Sequence, residues 1–146
     1  MSYLIKDVAK MMNVKPSTLR YYDKEGLLPG IKRKNGIRVF EEEDFKWLRV
    51  LNCLKNTNMP IKKIREYVEL SKQGDASLEK RYALIKEQKQ NILKQIEEFK
   101  YYLKEVNYKE WYYETALRLG SEAKVKAIVS DNATMELDKI PKGEIK

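Results

Sequence analysis

The chain has 146 residues, with 30 Lys and Arg against 22 Asp and Glu, a single Cys and no His, for a formal net charge of +8. That length suits one compact domain with an extension, or a small domain that dimerises. One Cys without His excludes an intramolecular disulfide, a Cys/His metal cluster and every Ser-His or Cys-His catalytic pair.

No apolar run is long enough to span a membrane, and no secretory signal opens the chain, so a cytoplasmic protein without membrane or cofactor is expected. The charge is uneven. Residues 1–72 carry 16 basic and 9 acidic side chains, a surplus of +7, while residues 73–146 carry 14 and 13, a surplus of +1. Positive charge favours polyanionic partners, and here it belongs to the N-terminal half.

In "LIKDVAKMM" Leu4, Val8, Ala9 and Met12 recur at helical spacing. Asn13 suits the left-handed residue that closes a helix, Val14 can pack back, and Pro16 has the fixed φ of a first helical residue. A second helix is expected from Pro16 to about Lys24, with Leu19 inward and Gly26 as its stop. Two short helices so spaced make a helix-turn-helix. An ordinary αα-hairpin is the commoner object, but the local basic surplus points to nucleic acid.

Two β-prone pieces, "IKR" and "IRVF", then flank Lys34-Asn35-Gly36, and Asn-Gly signals a type I′ hairpin turn. Alternation is expected to align Lys32, Lys34 and Arg38, or their neighbours, on one solvated ribbon, completing a winged helix. "EEED" (41–44) opens a third helix running to about Asn56, its acids at the positive helix end. Its apolar side centres on Trp47, Val50, Leu51 and Leu54. A fourth helix starts near Pro60, with Ile61, Ile64 and Val68 on one side. The polar "SKQGDAS" (71–77) marks a boundary, which makes 1–72 the DNA-binding domain.

From Leu78 a 4-3-4-3 spacing runs through Leu78, Tyr82, Ile85, Lys89, Ile92, Ile96, Phe99, Leu103, Val106, Glu110 and Tyr113. A helix of that length, roughly 54 Å, exceeds the width of the preceding domain. Burial is worth about 1.5–3 kcal/mol per large apolar side chain, against an association cost of roughly 4–15 kcal/mol. Half the seam offsets that cost, so 73–113 is expected to be a dimerisation coiled coil joined through its nine apolar seam residues. Residues 114–146 read as a short helix near 114–129 and a loose C-terminal tail. The fold class is mainly α: a winged helix-turn-helix DNA-binding domain followed by a long dimerisation coiled-coil helix.

The candidate contacts follow. Lys15, Ser17, Thr18 and Arg20 lie at the start of the second helix, where side chains reach base edges and backbone. Tyr21 and Tyr22 point about 100° apart, one able to meet a phosphate while the other packs inward. Lys34, Asn35, Gly36 and Arg38 in the wing, and Lys62 and Lys63 at the fourth helix, are expected on phosphates. Cys53 lies about 110° from the apolar centre of its helix. Arg49, four residues earlier, favours a thiolate, while the helix C-terminus opposes one. It is either a reactive sensor thiol or a small buried space-filler.

The stretch "TLRYYDKEGLL", with "IKDVAKMM" before it, "GIRVF" after it and the closing coiled coil, resembles the MerR family of bacterial transcription regulators over about residues 3–113. The resemblance implies a winged domain with an additional helix pair and an antiparallel coiled-coil homodimer on double-stranded promoter DNA. It also implies RNA polymerase as a partner, and activation by bending and untwisting a promoter whose recognition elements lie too far apart.

Many relatives have Ser or Thr where Lys15 stands; the missing N-cap bond costs about 0.5–2 kcal/mol, but Lys adds a charge towards DNA. Metal-sensing branches carry several cysteines around the coiled coil, and none stands there in this chain. The 33 residues after Tyr113 are too few for the large drug-binding domain of other branches. Within the family the resemblance is to the aldehyde- and thiol-stress branch, whose single cysteine late in the third helix corresponds to Cys53 and implies a small electrophile as inducer. The competing functions are an architectural or excisionase-like winged-helix binder, which needs no long seam, and an enzyme, for which no triad, metal set or glycine-rich phosphate loop is present.

Overall fold

A computed structural model describes residues 1–129. The first elements are β1 (Tyr3–Leu4), α1 (Ile5–Met11) and α2 (Pro16–Lys24), followed by the hairpin β2 (Lys32–Lys34) and β3 (Ile37–Phe40). Helices α3 (Glu42–Asn56) and α4 (Ile61–Lys72) follow, then a 3-10 turn at Gly74–Ser77, the long α5 (Leu78–Leu119) and α6 (Glu122–Val129). The described chain is mainly α, with a helix-turn-helix, a wing and one long helix, as expected.

Three helices end in the same way. Asn13, Gly26 and Asn58 take positive φ, and the next residue in each case donates its N–H to a carbonyl five residues back: Val14 to Ala9, Leu27 to Tyr22 and Met59 to Leu54, each at 2.9 Å. This closure satisfies the orphan carbonyls of the last turn and folds an apolar side chain back onto the core. Asn13 and Gly26 were legible as such stops. The wing turns at Asn35 and Gly36, both at positive φ as a type I′ turn requires.

Leu4 departs from the expected pattern. It does not extend the apolar side of the first helix but lies exposed in β1, pairing with Val39 while Tyr3 pairs with Phe40. The sheet order is β1-β3-β2. The pairing is non-local and ties the chain start to the wing.

One core holds Val8, Leu19, Leu27, Phe40, Leu48 and Ile64, all at most 1% exposed, with Leu51, Leu54 and Val68 around them. The buried side of α3 is Leu48, Leu51 and Leu54, whereas Trp47 and Val50 are only partly buried. Trp47 donates its indole N–H to the Leu27 carbonyl at 2.7 Å and stacks on Tyr67, so it spans core and surface.

The chain divides into two compact units, Met1–Lys89 and Gln90 onward. In the first, the opening turns of α5 are anchored: Leu84 and Gln88 are buried, and the Gln88 amide donates to the Thr57 carbonyl at 2.9 Å and hydroxyl at 2.7 Å. Of the "SKQGDAS" stretch, Ser71 and Lys72 complete α4 and Gly74–Ser77 form the 3-10 turn, with the buried Ser77 hydroxyl bonded to the Leu70 carbonyl. In the second unit, α5 runs past the expected end at Tyr113 to Leu119, where Gly120 at positive φ breaks it. Residues 114–119 therefore belong to the long helix, and α6 is a separate short one, with Tyr112 bonded to Glu122 at 3.1 Å and Val125 buried. The expected loose tail, 130–146, lies outside the described residues.

Candidate nucleic-acid interface

On α2 the side chains sort by the helical period. Leu19 and Tyr22 are buried, while Ser17, Arg20, Tyr21 and Lys24, at i, i+3, i+4 and i+7, form one exposed stripe. Lys24 shares that stripe although it was absent from the expected contacts. Lys15 is the exposed N-cap in extended conformation and makes no side-chain cap bond. Thr18 is half-buried, its N–H donating to the Lys15 carbonyl at 3.0 Å.

The tyrosines separate as their geometry requires. Tyr22 is 2% exposed and its hydroxyl donates to Asn52 Oδ1 at 3.2 Å, whereas Tyr21 is 38% exposed. Burial, and secondarily the neighbouring Tyr21, pushes the Tyr22 phenol above its ordinary value, which keeps it a donor. Tyr22 is thus the inward tyrosine and does not belong on the contact surface.

The wing differs from the expected ribbon. Lys32 pairs across the hairpin with Val39, Arg33 with Arg38 and Lys34 with Ile37. Strand alternation therefore puts Arg38 on the face of Arg33, opposite to Lys32 and Lys34. Arg38 is half-buried, its Nε donating to Asp23 Oδ2 at 2.6 Å, and Arg33 donates to the same oxygen at 3.2 Å. Both arginines serve an internal carboxylate at the end of α2, and neither is disengaged at the surface. Arg33 and Asp23 were missed because their partners are remote in sequence.

Lys32 pairs with Glu41 at 3.1 Å, while Lys34, Asn35 and Gly36 are exposed at the wing tip. At α4, Lys62 is exposed, but Lys63 pairs with Glu87 of α5 at 2.8 Å. Among the described ion pairs, Lys15, Arg20, Lys24, Lys34 and Lys62 take no part, leaving their charge for an external anion.

Cys53 is a free, exposed thiol. Because the buried side of α3 is turned towards Leu48, Cys53 lies about 160° from its centre by helical geometry. It therefore does not fill space inside this unit. One turn on, the Thr57 hydroxyl donates to the Cys53 carbonyl at 2.7 Å, and Gln88 of α5 donates to that same hydroxyl.

Along α5 the heptad positions are largely uncovered: Leu78, Tyr82, Ile85, Ile96, Phe99, Leu103, Val106 and Tyr113 are exposed and Ile92 is half-buried. Leu117, four residues beyond Tyr113 at the next seam position, is 85% exposed. The apolar stripe thus extends as far as the helix does. No described helix is long and apolar enough to cross a membrane.

The model for "MerR HTH family regulatory protein" matches residues 3–71. An uncharacterized HTH-type transcriptional regulator of Haemophilus influenzae is 42% identical over 129 residues, 88% of this chain and 93% of that one. The HTH-type transcriptional regulator AdhR of Bacillus subtilis is 38% identical over 90 residues, 61% of this chain and 64% of its own. Among solved structures, HiNmlR, described as a MerR family regulator lacking the sensor domain and bound to promoter DNA, aligns with TM-score 0.79 and 41% identity, covering 85% of this chain and 99% of that one. A MerR family regulator from Bacillus thuringiensis aligns at TM-score 0.70 and 43% identity, covering 75% and 96%.

Proposed function

This chain belongs to the MerR family of helix-turn-helix regulatory proteins, and on that premise we propose that it is a homodimeric, promoter-binding transcription regulator of the bacterial cytoplasm. The observation that carries the reading is the unneutralised stripe of Arg20 and Lys24 on α2, flanked by Lys15 and by Lys34 of the wing. Phosphates supply affinity to such a surface, and base edges met by Ser17 and Arg20 supply specificity. The domains divide as 1–72 for DNA, 73–113 for the coiled coil and 114–146 beyond it. The exposed heptad stripe joins two copies, whose two-fold symmetry reads an inverted repeat. Transcription switches by distortion of the bound promoter, with RNA polymerase as the partner that reads the change.

The effector is a small electrophile, and Cys53 is its target. The thiolate sulfur adds to an aldehyde carbonyl carbon, forming an S–C bond as the C=O π bond opens, and the oxygen takes up a proton. What supports the site is an exposed thiol one helical turn before Thr57, whose hydroxyl links the Cys53 carbonyl to Gln88. Added bulk there perturbs the turn that seats α5 on the DNA-reading unit.

The test is transcription from the promoter preceding the chain's own gene, with and without methylglyoxal or formaldehyde. Wild type responds, Cys53→Ser binds the promoter but does not respond, and deletion of the chain abolishes regulation. A full response in the serine variant ends the thiol reading and leaves the regulator. An architectural or excisionase-like binder is the alternative, and it predicts no response to any inducer.

A further inference from the structure

The last turn of α3 and the N-terminal turn of α2 enclose an open cleft of about 640 Å³. Lys15, Lys55, Asn13, Asn52, Asn56 and Thr18 line it. With Val14 and the inward-facing Tyr22 completing its wall, it offers two ammonium groups, three carboxamides and two hydroxyls, the Tyr22 one already bonded to Asn52, and no carboxylate among its lining residues. The Lys55 ammonium sits 4.9 Å from the ring centroid of Tyr21 and 5.1 Å from that of Tyr22. The Tyr22 ring is fixed by burial and by its bond to Asn52.

A π face holds a cation in position without cancelling its charge, unlike a carboxylate. Neither Lys15 nor Lys55 enters a described ion pair. The charge of the cleft is thus left for an anion from outside. Tyr21 also belongs to the exposed stripe of α2, so the ammonium held over its ring lies at the edge of the stripe proposed above to meet base edges and phosphates.

We propose that Lys55, with Lys15, forms a backbone-phosphate seat beside the recognition helix, so that α3 as well as α2 and the wing grips DNA. The seat rests on the DNA-binding reading given above. Lys55 is a direct contact in this scheme, and its position on the tyrosine faces orients Tyr21 at the same time. Asn13, Asn52 and Asn56 supply neutral donors around the phosphate oxygens.

The experiment measures binding of the full-length chain to a short mixed-sequence duplex by fluorescence anisotropy across a salt titration, for wild type, Lys55→Gln, Lys55→Arg and Arg20→Ala. Each phosphate contact contributes about 0.9 to the slope of log affinity against log salt. Lys55→Gln is expected to flatten the slope by about that amount per chain, and Lys55→Arg to restore it, with thermal midpoint and dimer mass unchanged. A merely structural Lys55 would lower the midpoint and leave the slope alone, which overturns the seat. An unchanged slope in Lys55→Gln removes Lys55 whatever Arg20→Ala does, whereas a wild type that fails to bind the duplex, or binds it without salt dependence, removes the DNA reading. Inorganic phosphate at fixed ionic strength supplies the remaining arm. If it raises the thermal midpoint through Lys55 while the duplex does not, the cleft holds free phosphate and the proposal falls.

Discussion

A chain carrying Ile92→Asp and Ile96→Asp together is expected to sediment as a monomer and to lose roughly 10²–10⁴-fold in affinity for an inverted repeat. The reason lies in α5, where an apolar stripe at 4-3 spacing runs from Leu78 to Leu117 with almost every member exposed in the single chain. Covering five or six such side chains on each of two copies stabilises association by about 1.5–3 kcal/mol each, roughly 15–36 kcal/mol together, which meets or exceeds a cost of roughly 4–15 kcal/mol for joining two molecules. Two carboxylates placed at adjacent turns mid-seam would be desolvated against apolar partners, and the dimer opens sooner than bury them. Each released monomer keeps its folded DNA unit and a single half-site contact, so weak binding to mixed-sequence duplex persists. Sedimentation of an intact dimer contradicts the seam.

Asp23→Asn gives the second large effect, and its sign is the informative part. Loss of one acid per chain leaves the protein more positive, which on charge alone strengthens DNA binding. The geometry predicts weaker binding. Arg33 and Arg38 stand directly opposite each other across the hairpin, an arrangement that repels unless something neutralises it. Asp23 does so, accepting from Arg38 at 2.6 Å and Arg33 at 3.2 Å with its carboxylate about one-fifth exposed.

The bridge fixes the wing to the end of α2, and hence Lys34 to a set offset from Arg20. With neutral Asn the two guanidiniums repel and the wing swings free. The expected cost is about 1–3 kcal/mol in unfolding, between that of exposed pairs and of fully buried ones. Affinity for duplex DNA falls while the salt slope also falls, because Lys34 no longer arrives with the rest. Denaturant unfolding and anisotropy check both parts. Tighter DNA binding at unchanged stability would reduce Asp23 to a surface charge.

Local signals carried most of the fold. Asn13-Val14, Gly26-Leu27 and Asn35-Gly36 each mark a backbone conformation that few other residues adopt, and the chain turns at every one of them. What sequence pattern could not supply was pairing at a distance. Leu4 resembles a helix start until Val39 is seen beside it. Arg38 looks like a solvated cation until Asp23, fifteen residues earlier, takes it up. The face of α3 was misjudged because Trp47, counted as core, turns its N–H to the Leu27 carbonyl and leaves Leu48 as the buried residue.

The end of α5 lies beyond the expected Tyr113 for a different reason. Leu117 continues the heptad, and Gly120 supplies the break. In the candidate interface, the α2 stripe was legible from periodicity apart from Lys24. Lys55 was not, since its importance depends on two tyrosine rings contributed by another helix.

Footprinting on the region upstream of the chain's own gene decides whether a symmetric protein reads symmetric DNA. Protection of an inverted repeat is expected at physiological salt, its half-sites centred about 34–36 Å, one helical turn, or a multiple apart. That protection should disappear with Ile92→Asp and Ile96→Asp. Protection of a lone half-site, or none beyond that seen on mixed-sequence DNA, would contradict symmetric reading.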